Sequence, residues 1–213
     1  MMPADVDAPP SSAPSRNPTR MGHFSDGVFA VAITLLVLDL AVPITTGSLI
    51  GALADEWARF AAFGVSFVLV GCIWVNHHDV MNRVARVDRA LLYINLAMLL
   101  AIALIPFSTA LFAEYAAKGS SQASVAGALF AGTMMLMGIA FSAVYVRVER
   151  GRQLAGLPEA PRSPADLLRF TAGPALNALA IALAFVYAPA VLIVLAALTV
   201  YYIFDHVRSD DGG

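Results

Sequence analysis

The chain has 213 residues, of which 59% are hydrophobic and 13% are charged, and its mean hydropathy is +0.75. A soluble domain carries about 25% charged residues, so the composition predicts an integral membrane protein. The formal net charge of −2 gives no electrostatic basis for binding nucleic acid, and the single cysteine, Cys72, excludes an internal disulfide framework and a cysteine-based metal cluster.

The two ends of the chain differ in composition from the rest. Residues 1–19 contain five prolines together with Ser, Asp and Asn, and they have neither an apolar core nor a basic start. We therefore expect a disordered cytoplasmic tail at 1–19 rather than a signal peptide, and a second short cytoplasmic tail at 207–213. Residues 20–206 would form one transmembrane domain.

Six apolar segments predict an all-α integral membrane protein with six transmembrane helices per subunit. In chain order they are residues 22–42, 58–77, 90–112, 123–146, 166–187 and 189–206. Pro43 would end the first helix, residues 44–57 would form an amphipathic connector, and residues 147–165 would form the longest loop. Little more than Ala188-Pro189 separates the last two helices, which predicts an antiparallel hairpin.

The basic residues predict the orientation of the helices. With both termini in the cytoplasm, eleven of the thirteen Lys and Arg side chains fall on the inner side, and only Arg59 and Lys118 fall outside. This asymmetry is typical of multi-pass membrane proteins and supports an even number of spans.

A charged motif opens the first predicted helix. Arg20, Phe24, Ser25 and Asp26 form the pattern Arg-x-x-x-Phe-Ser-Asp, and the apolar run 27–40 follows. This stretch resembles the signature of the lysosomal potassium channel family (transmembrane protein 175) and its bacterial relatives. The resemblance implies a homotetramer in a bacterial inner membrane, with monovalent cations as its ligands, potassium as the permeant ion and no other cofactor. It also implies a pore lined by the first helix, with apolar constrictions and a threonine layer linked to potassium preference.

The helical spacing of the first segment agrees with that implication. Val31, Thr34, Leu35 and Leu38 share one stripe of the helix. In a ring of four copies, the three aliphatic side chains would form stacked constrictions, and Thr34 would supply side-chain oxygens to the ion. Helix packing alone would also explain such a stripe. The chain has no Thr-Val-Gly-Tyr-Gly filter sequence.

The polar residues around the first helix lead to two further hypotheses. Because an unpaired charge in a membrane is costly, we expect a buried network of Arg20, Ser25, Asp26 and either His77 or His78. Asp39, near the outer end of the helix, would ring the outer mouth and concentrate cations, or would be a simple interfacial acid.

The sequence favours a passive, leak-like, potassium-selective channel. The alternatives are a proton-permeable channel or proton-coupled transporter that uses Asp26, Asp39 and the histidines, and a membrane scaffold that conducts nothing. Adjacent His77 and His78 point about 100° apart on a helix, so they do not form a metal pair. No phosphate-binding loop, His-Glu-x-x-His motif or placed catalytic base is present in the sequence, which argues against an enzyme.

Overall fold

A computed structural model describes residues 18–40, 46–116, 121–157 and 164–210, with the backbone alone for 164–172 and 204–210. These residues form seven α-helices and one short 3-10 turn, and no β-strand occurs among them. The helices are α1 (Pro18–Leu36, continued by the 3-10 turn Val37–Asp39), α2 (Leu49–Asp55), α3 (Trp57–Asn82), α4 (Arg89–Ala116), α5 (Ser121–Leu154), α6 (Pro164–Ala184) and α7 (Ala190–Asp210).

Four helices in the described residues are long and apolar enough to cross a membrane: α1 with its 3-10 turn, α3, α4 and α5. Helices α6 and α7 contribute the shorter apolar stretches Gly173–Ala184 and Ala190–Ile203. The prediction of an all-α membrane protein is thus confirmed. The prediction of six spans is not confirmed: the described residues give four spans of sufficient length and two shorter apolar helices.

Several helices begin or end at other residues than predicted, and two of them extend into the predicted N-terminal tail and the predicted longest loop. Helix α1 begins at Pro18, within the predicted tail, and the predicted stop at Val42 and Pro43 lies outside the described residues. The predicted loop at 147–165 is wrong over its first part, because α5 continues to Leu154. At 1.5 Å per residue, the 34 residues of α5 span about 51 Å. An apolar bilayer core is about 30 Å thick, so α5 extends well beyond it.

Ion pairs at opposite ends of the bundle define the course of the long helices. At one end, Arg59 at the start of α3 contacts Asp39 at the end of α1 and Glu114 near the end of α4. At the other end, Arg83 follows α3 and pairs with Glu149 of α5. Consecutive long helices from α1 to α5 therefore alternate in direction, as expected for repeated membrane crossings.

Helix α4 lies at the centre of the bundle and packs against α1, α3 and α5, while α6 packs against α5 and α7. Its Met98, Ile102 and Ile105 are fully buried, and Phe112 stacks on Phe130 of α5 with ring centroids 5.3 Å apart. Because this core fixes α4, the residues of α4 that face α1 provide a rigid support for that helix.

Candidate functional site on the first helix

Helix α1 has two faces of different burial. Its buried residues follow one another at intervals of three and four and lie against α3 and α4: Met21, Ser25, Phe29, Ala32 and Leu36. This spacing is that of a single helical face. One side of α1 is therefore held by the bundle, and the opposite side is left without a partner in the single chain.

The unpartnered side carries the predicted pore residues. Val31, Leu35 and Leu38 are 57%, 43% and 76% exposed. The Thr34 side chain is also exposed, and its hydroxyl donates a hydrogen bond to the Val31 carbonyl at 2.9 Å. Since the hydroxyl proton is used within the helix, the lone pairs of the Thr34 oxygen remain available to accept a cation or a water proton. The exposed side of α1 thus carries one side-chain oxygen between aliphatic side chains.

A groove of about 510 Å³ runs along this side of α1. Its lining is almost entirely apolar: His23, Phe24, Gly27, Val28, Val31, Ala32, Leu35 and, from α4, Ala103. His23 and Gly27 continue the exposed side toward the start of the helix, and the stripe named from the sequence did not include them. Gly27 lies four residues from both His23 and Val31, and this helical spacing is the signal that would have identified the two residues.

A buried hydrogen-bond network of Ser25, Asn95 and His77 connects three helices behind the exposed side of α1. Ser25 Oγ donates to the Met21 carbonyl at 3.0 Å and accepts from the Asn95 side-chain amide at 3.0 Å. The Asn95 Oδ1 atom lies 3.0 Å from His77 Nε2. All three polar side chains are buried. This hydrogen-bond network joins α1 to α4 and α4 to α3.

The remaining members of the predicted network lie elsewhere. Asp26 accepts a hydrogen bond from the Trp74 indole at 2.9 Å, and the Trp74 ring lies 5.9 Å from the ring of His78. Within the described residues, Arg20 takes part in neither arrangement and lies on a separate groove with Phe24 and Asn95. The single predicted network is thus divided into a buried part and a part nearer the surface. Sequence reasoning placed Ser25 and His77 together but missed Asn95, which links them.

Asp39 is held at the end of α1 by Arg59. The Arg59 Nη1 atom lies 3.3 Å from both the Asp39 carbonyl oxygen and the Asp39 Oδ1 atom. The same guanidinium contacts Glu56 at 2.7 Å and also Glu114. The Asp39 carboxylate is therefore a member of an ionic cluster. Among the described residues, no group of three or more His, Cys, Asp or Glu side chains is arranged to hold a metal ion.

Comparison with known proteins identifies the family of the chain. Residues 20–106 match the family described as the endosomal/lysosomal potassium channel TMEM175. A potassium channel of Streptomyces collinus is 42% identical over 191 residues, which cover 88% of this chain and 92% of that protein. A potassium channel of Chamaesiphon minutus is 38% identical over 181 residues, which cover 82% of this chain and 88% of that protein.

The fold comparison gives the same answer. The crystal structure of a lysosomal potassium-selective channel TMEM175 homologue from Chamaesiphon minutus superposes with a TM-score of 0.76 and 34% identity. The match covers 88% of this chain and 97% of that one. The family is one of channels and not of enzymes. With these matches over nearly the whole chain, the protein belongs to the TMEM175 potassium channel family.

Proposed function

We propose that the protein is a passive potassium-selective channel whose pore is lined by copies of α1. The observation that carries this proposal is the unpartnered side of α1, where Val31, Leu35 and Leu38 are exposed although the opposite face is fully packed. Membership of a potassium channel family supports the same function.

The arrangement of side chains along α1 supports a stacked set of rings. A chain of this size with α1 at its surface is too small to enclose a wide pore alone, so we infer that several copies contribute, and the family resemblance favours four. In such a ring Val31, Leu35 and Leu38 form apolar constrictions, which oppose water and ions unless they widen. Thr34 lies between them, and its oxygen replaces part of the hydration shell of a passing cation.

The ionic side chains support the orientation. Arg83, Asp88, Arg147 and Glu149 gather at one end of the long helices, and Arg59, Asp39 and Glu114 gather at the other. The excess of arginine at the first end matches the cytoplasmic side of a membrane protein. Both termini then lie in the cytoplasm, the protein spans a bacterial inner membrane, and Asp39 lies at the outer mouth.

Flux through purified protein in liposomes tests the proposal. The parent is measured under a potassium gradient and then under a sodium gradient, beside Leu35→Ala and Thr34→Ala. Ile193→Ala is the matched control, because Ile193 of α7 is 67% exposed and α7 shows no extensive contact with α1 among the described residues. We expect the parent to favour potassium, Leu35→Ala to raise cation flux, Thr34→Ala to weaken the preference, and Ile193→Ala to behave as the parent.

Two results would contradict the proposal. A proton flux without a cation current, lost in Asp26→Asn, would favour a proton pathway. The absence of any flux, together with stable binding to another membrane protein, would favour a scaffold.

A further inference from the structure

One guanidinium joins the ends of three helices beside the last turn of α1. Arg59 lies in the first turn of α3 and contacts Asp39 at the end of α1 and Glu114 near the end of α4. A third carboxylate, that of Glu56, lies 2.7 Å from Arg59 Nε and belongs to the residue that precedes α3. The Arg59 side chain is only 19% exposed.

The contact with α1 involves the backbone as well as the side chain. Arg59 Nη1 lies 3.3 Å from the Asp39 carbonyl oxygen, which belongs to the final residue of the 3-10 turn. No N–H group of the helix donates to its last carbonyl oxygens. A hydrogen-bond donor from outside the helix therefore stabilises that end. A planar guanidinium has five N–H donors and can serve the carbonyl and several carboxylates together, which a lysine ammonium cannot do in the same geometry.

The residues beside this contact are the outermost members of the exposed stripe. Leu38 precedes Asp39 directly, lies in the same 3-10 turn and is 76% exposed. Since no side chain of the turn is buried, packing alone does not fix the turn. The position of Leu38 therefore depends on what holds Asp39.

We propose that Arg59 is a positioning residue that fixes the outer end of α1 against α3 and α4, and thereby sets the place of Leu38 in the outer constriction. The second half of this proposal rests on the proposed function of α1 as the pore helix. The first half concerns the ordering of the helix end and holds whether or not the protein conducts.

The test combines a local measurement of order with flux. A nitroxide spin label is attached to Leu38→Cys in a Cys72→Ser background, and its mobility is measured by electron paramagnetic resonance in liposomes. Arg59→Gln, Arg59→Lys, Glu114→Gln and Glu56→Gln are then added one at a time. A label at Val31→Cys, in the middle of α1, reports whether any effect is confined to the helix end.

We expect Arg59→Gln to increase the mobility of the label at position 38 and to leave the mobility of the label at position 31 unchanged. Loss of a charged hydrogen bond shifts a local equilibrium by about tenfold, so a mobile component of that order should appear. Arg59→Lys and Glu114→Gln should give intermediate effects. Glu56→Gln should have no effect, because Glu56 directly precedes α3 and its contact with Arg59 does not tie α3 to another helix, whereas Glu114 belongs to α4.

Flux separates the two proposals. In a conducting parent, Arg59→Gln should raise the flux of both cations because Leu38 no longer holds its place. An unchanged label in a folded Arg59→Gln protein would overturn the positioning role. A more mobile label at position 38 with unchanged cation flux would overturn the link to conduction. A parent protein without cation flux would overturn the proposed function. If Arg59→Gln does not fold, the comparison of Glu114→Gln with Glu56→Gln decides in the same way.

Discussion

The Asn95 side-chain amide donates a hydrogen bond to Ser25 Oγ at 3.0 Å, although the two residues are 70 positions apart. Asn95 also faces His77 Nε2 at 3.0 Å, so one side chain links α4 to both α1 and α3. Replacing Asn95 by Ala leaves the Ser25 oxygen and the His77 imidazole each without this partner. We expect the free energy of unfolding to fall by about 1–2 kcal/mol, measured by thermal unfolding in detergent.

Asn76→Ala is the matched control for this change. The Asn76 amide donates to the Cys72 carbonyl within its own helix, at 2.8 Å. Its loss should therefore have a smaller effect than that of Asn95. Equal shifts in melting temperature for the two variants would show that the link between helices adds nothing to stability.

A glycine allows α5 to approach the last two helices closely. A Cβ atom at Gly127 would lie 3.2 Å from Ala184 Cβ and 3.3 Å from Val191 Cγ2. We expect Gly127→Leu to separate these helices and to destabilise the protein by about 1–3 kcal/mol. Gly132→Leu in the same helix should cost less stability, because nothing lies within 4 Å of the first side-chain atom there. Melting temperatures of the two variants compare them, and equal values would contradict the close approach.

Two hydroxyls join α3 and α4 in the apolar interior. Ser66 Oγ and Thr109 Oγ1 are 2.8 Å apart, and Thr109 Oγ1 also lies 2.8 Å from the Ile105 carbonyl. Since the Thr109 proton goes to that carbonyl, Ser66 is the donor of the pair. A double-mutant cycle with Ser66→Ala and Thr109→Val should give a coupling of about 0.5–1 kcal/mol. The cycle of Ser66→Ala with Ser108→Ala should give none, because it is Thr109, and not Ser108, whose hydroxyl pairs with Ser66.

An ion pair holds the extension of α5 beyond the membrane. The Glu149 side chain is 10% exposed and lies 2.6 Å from Arg83 Nη2. Glu149→Gln should loosen the last two turns of α5, because it removes the charge that Arg83 faces. We expect faster tryptic cleavage after Arg150 and Arg152 than in the parent. An unchanged cleavage rate would mean that the extension is stable without this pair, and Glu56→Gln at the other end of the bundle serves as the control.

The sequence predicted the parts of the fold that depend on local pattern. The apolar runs located the long helices, and the spacing of Val31, Leu35 and Leu38 identified the side of α1 that the structure leaves exposed. Helical periodicity is set by the backbone, so a single helix already contains this information. The lining of the pore by that side remains a prediction.

The parts that the sequence did not predict depend on contacts between distant residues. The run 147–154 looked like a loop because it is charged, but two residues that flank other helices, Arg83 after α3 and Asp88 before α4, pair with it and stabilise it as helix. Asn95 was noted in the third segment without a role, because its partners Ser25 and His77 lie on two other helices. Spacing along one helix gives no information about such pairs.

The claim that α1 lines the pore is tested most directly by blocking with a thiol-reactive cation of similar size to potassium, such as Ag⁺. Leu35→Cys and Leu36→Cys are placed separately in a Cys72→Ser background, and potassium flux from liposomes is followed before and after Ag⁺ is added. Leu35 is exposed and lines the groove, whereas Leu36, the next residue, is 2% exposed and faces the bundle. We predict that Ag⁺ stops flux through Leu35→Cys and leaves flux through Leu36→Cys and the Cys72→Ser parent unchanged. Uninhibited flux through Leu35→Cys, or equal block at both positions, would contradict a pore lined by this side of α1.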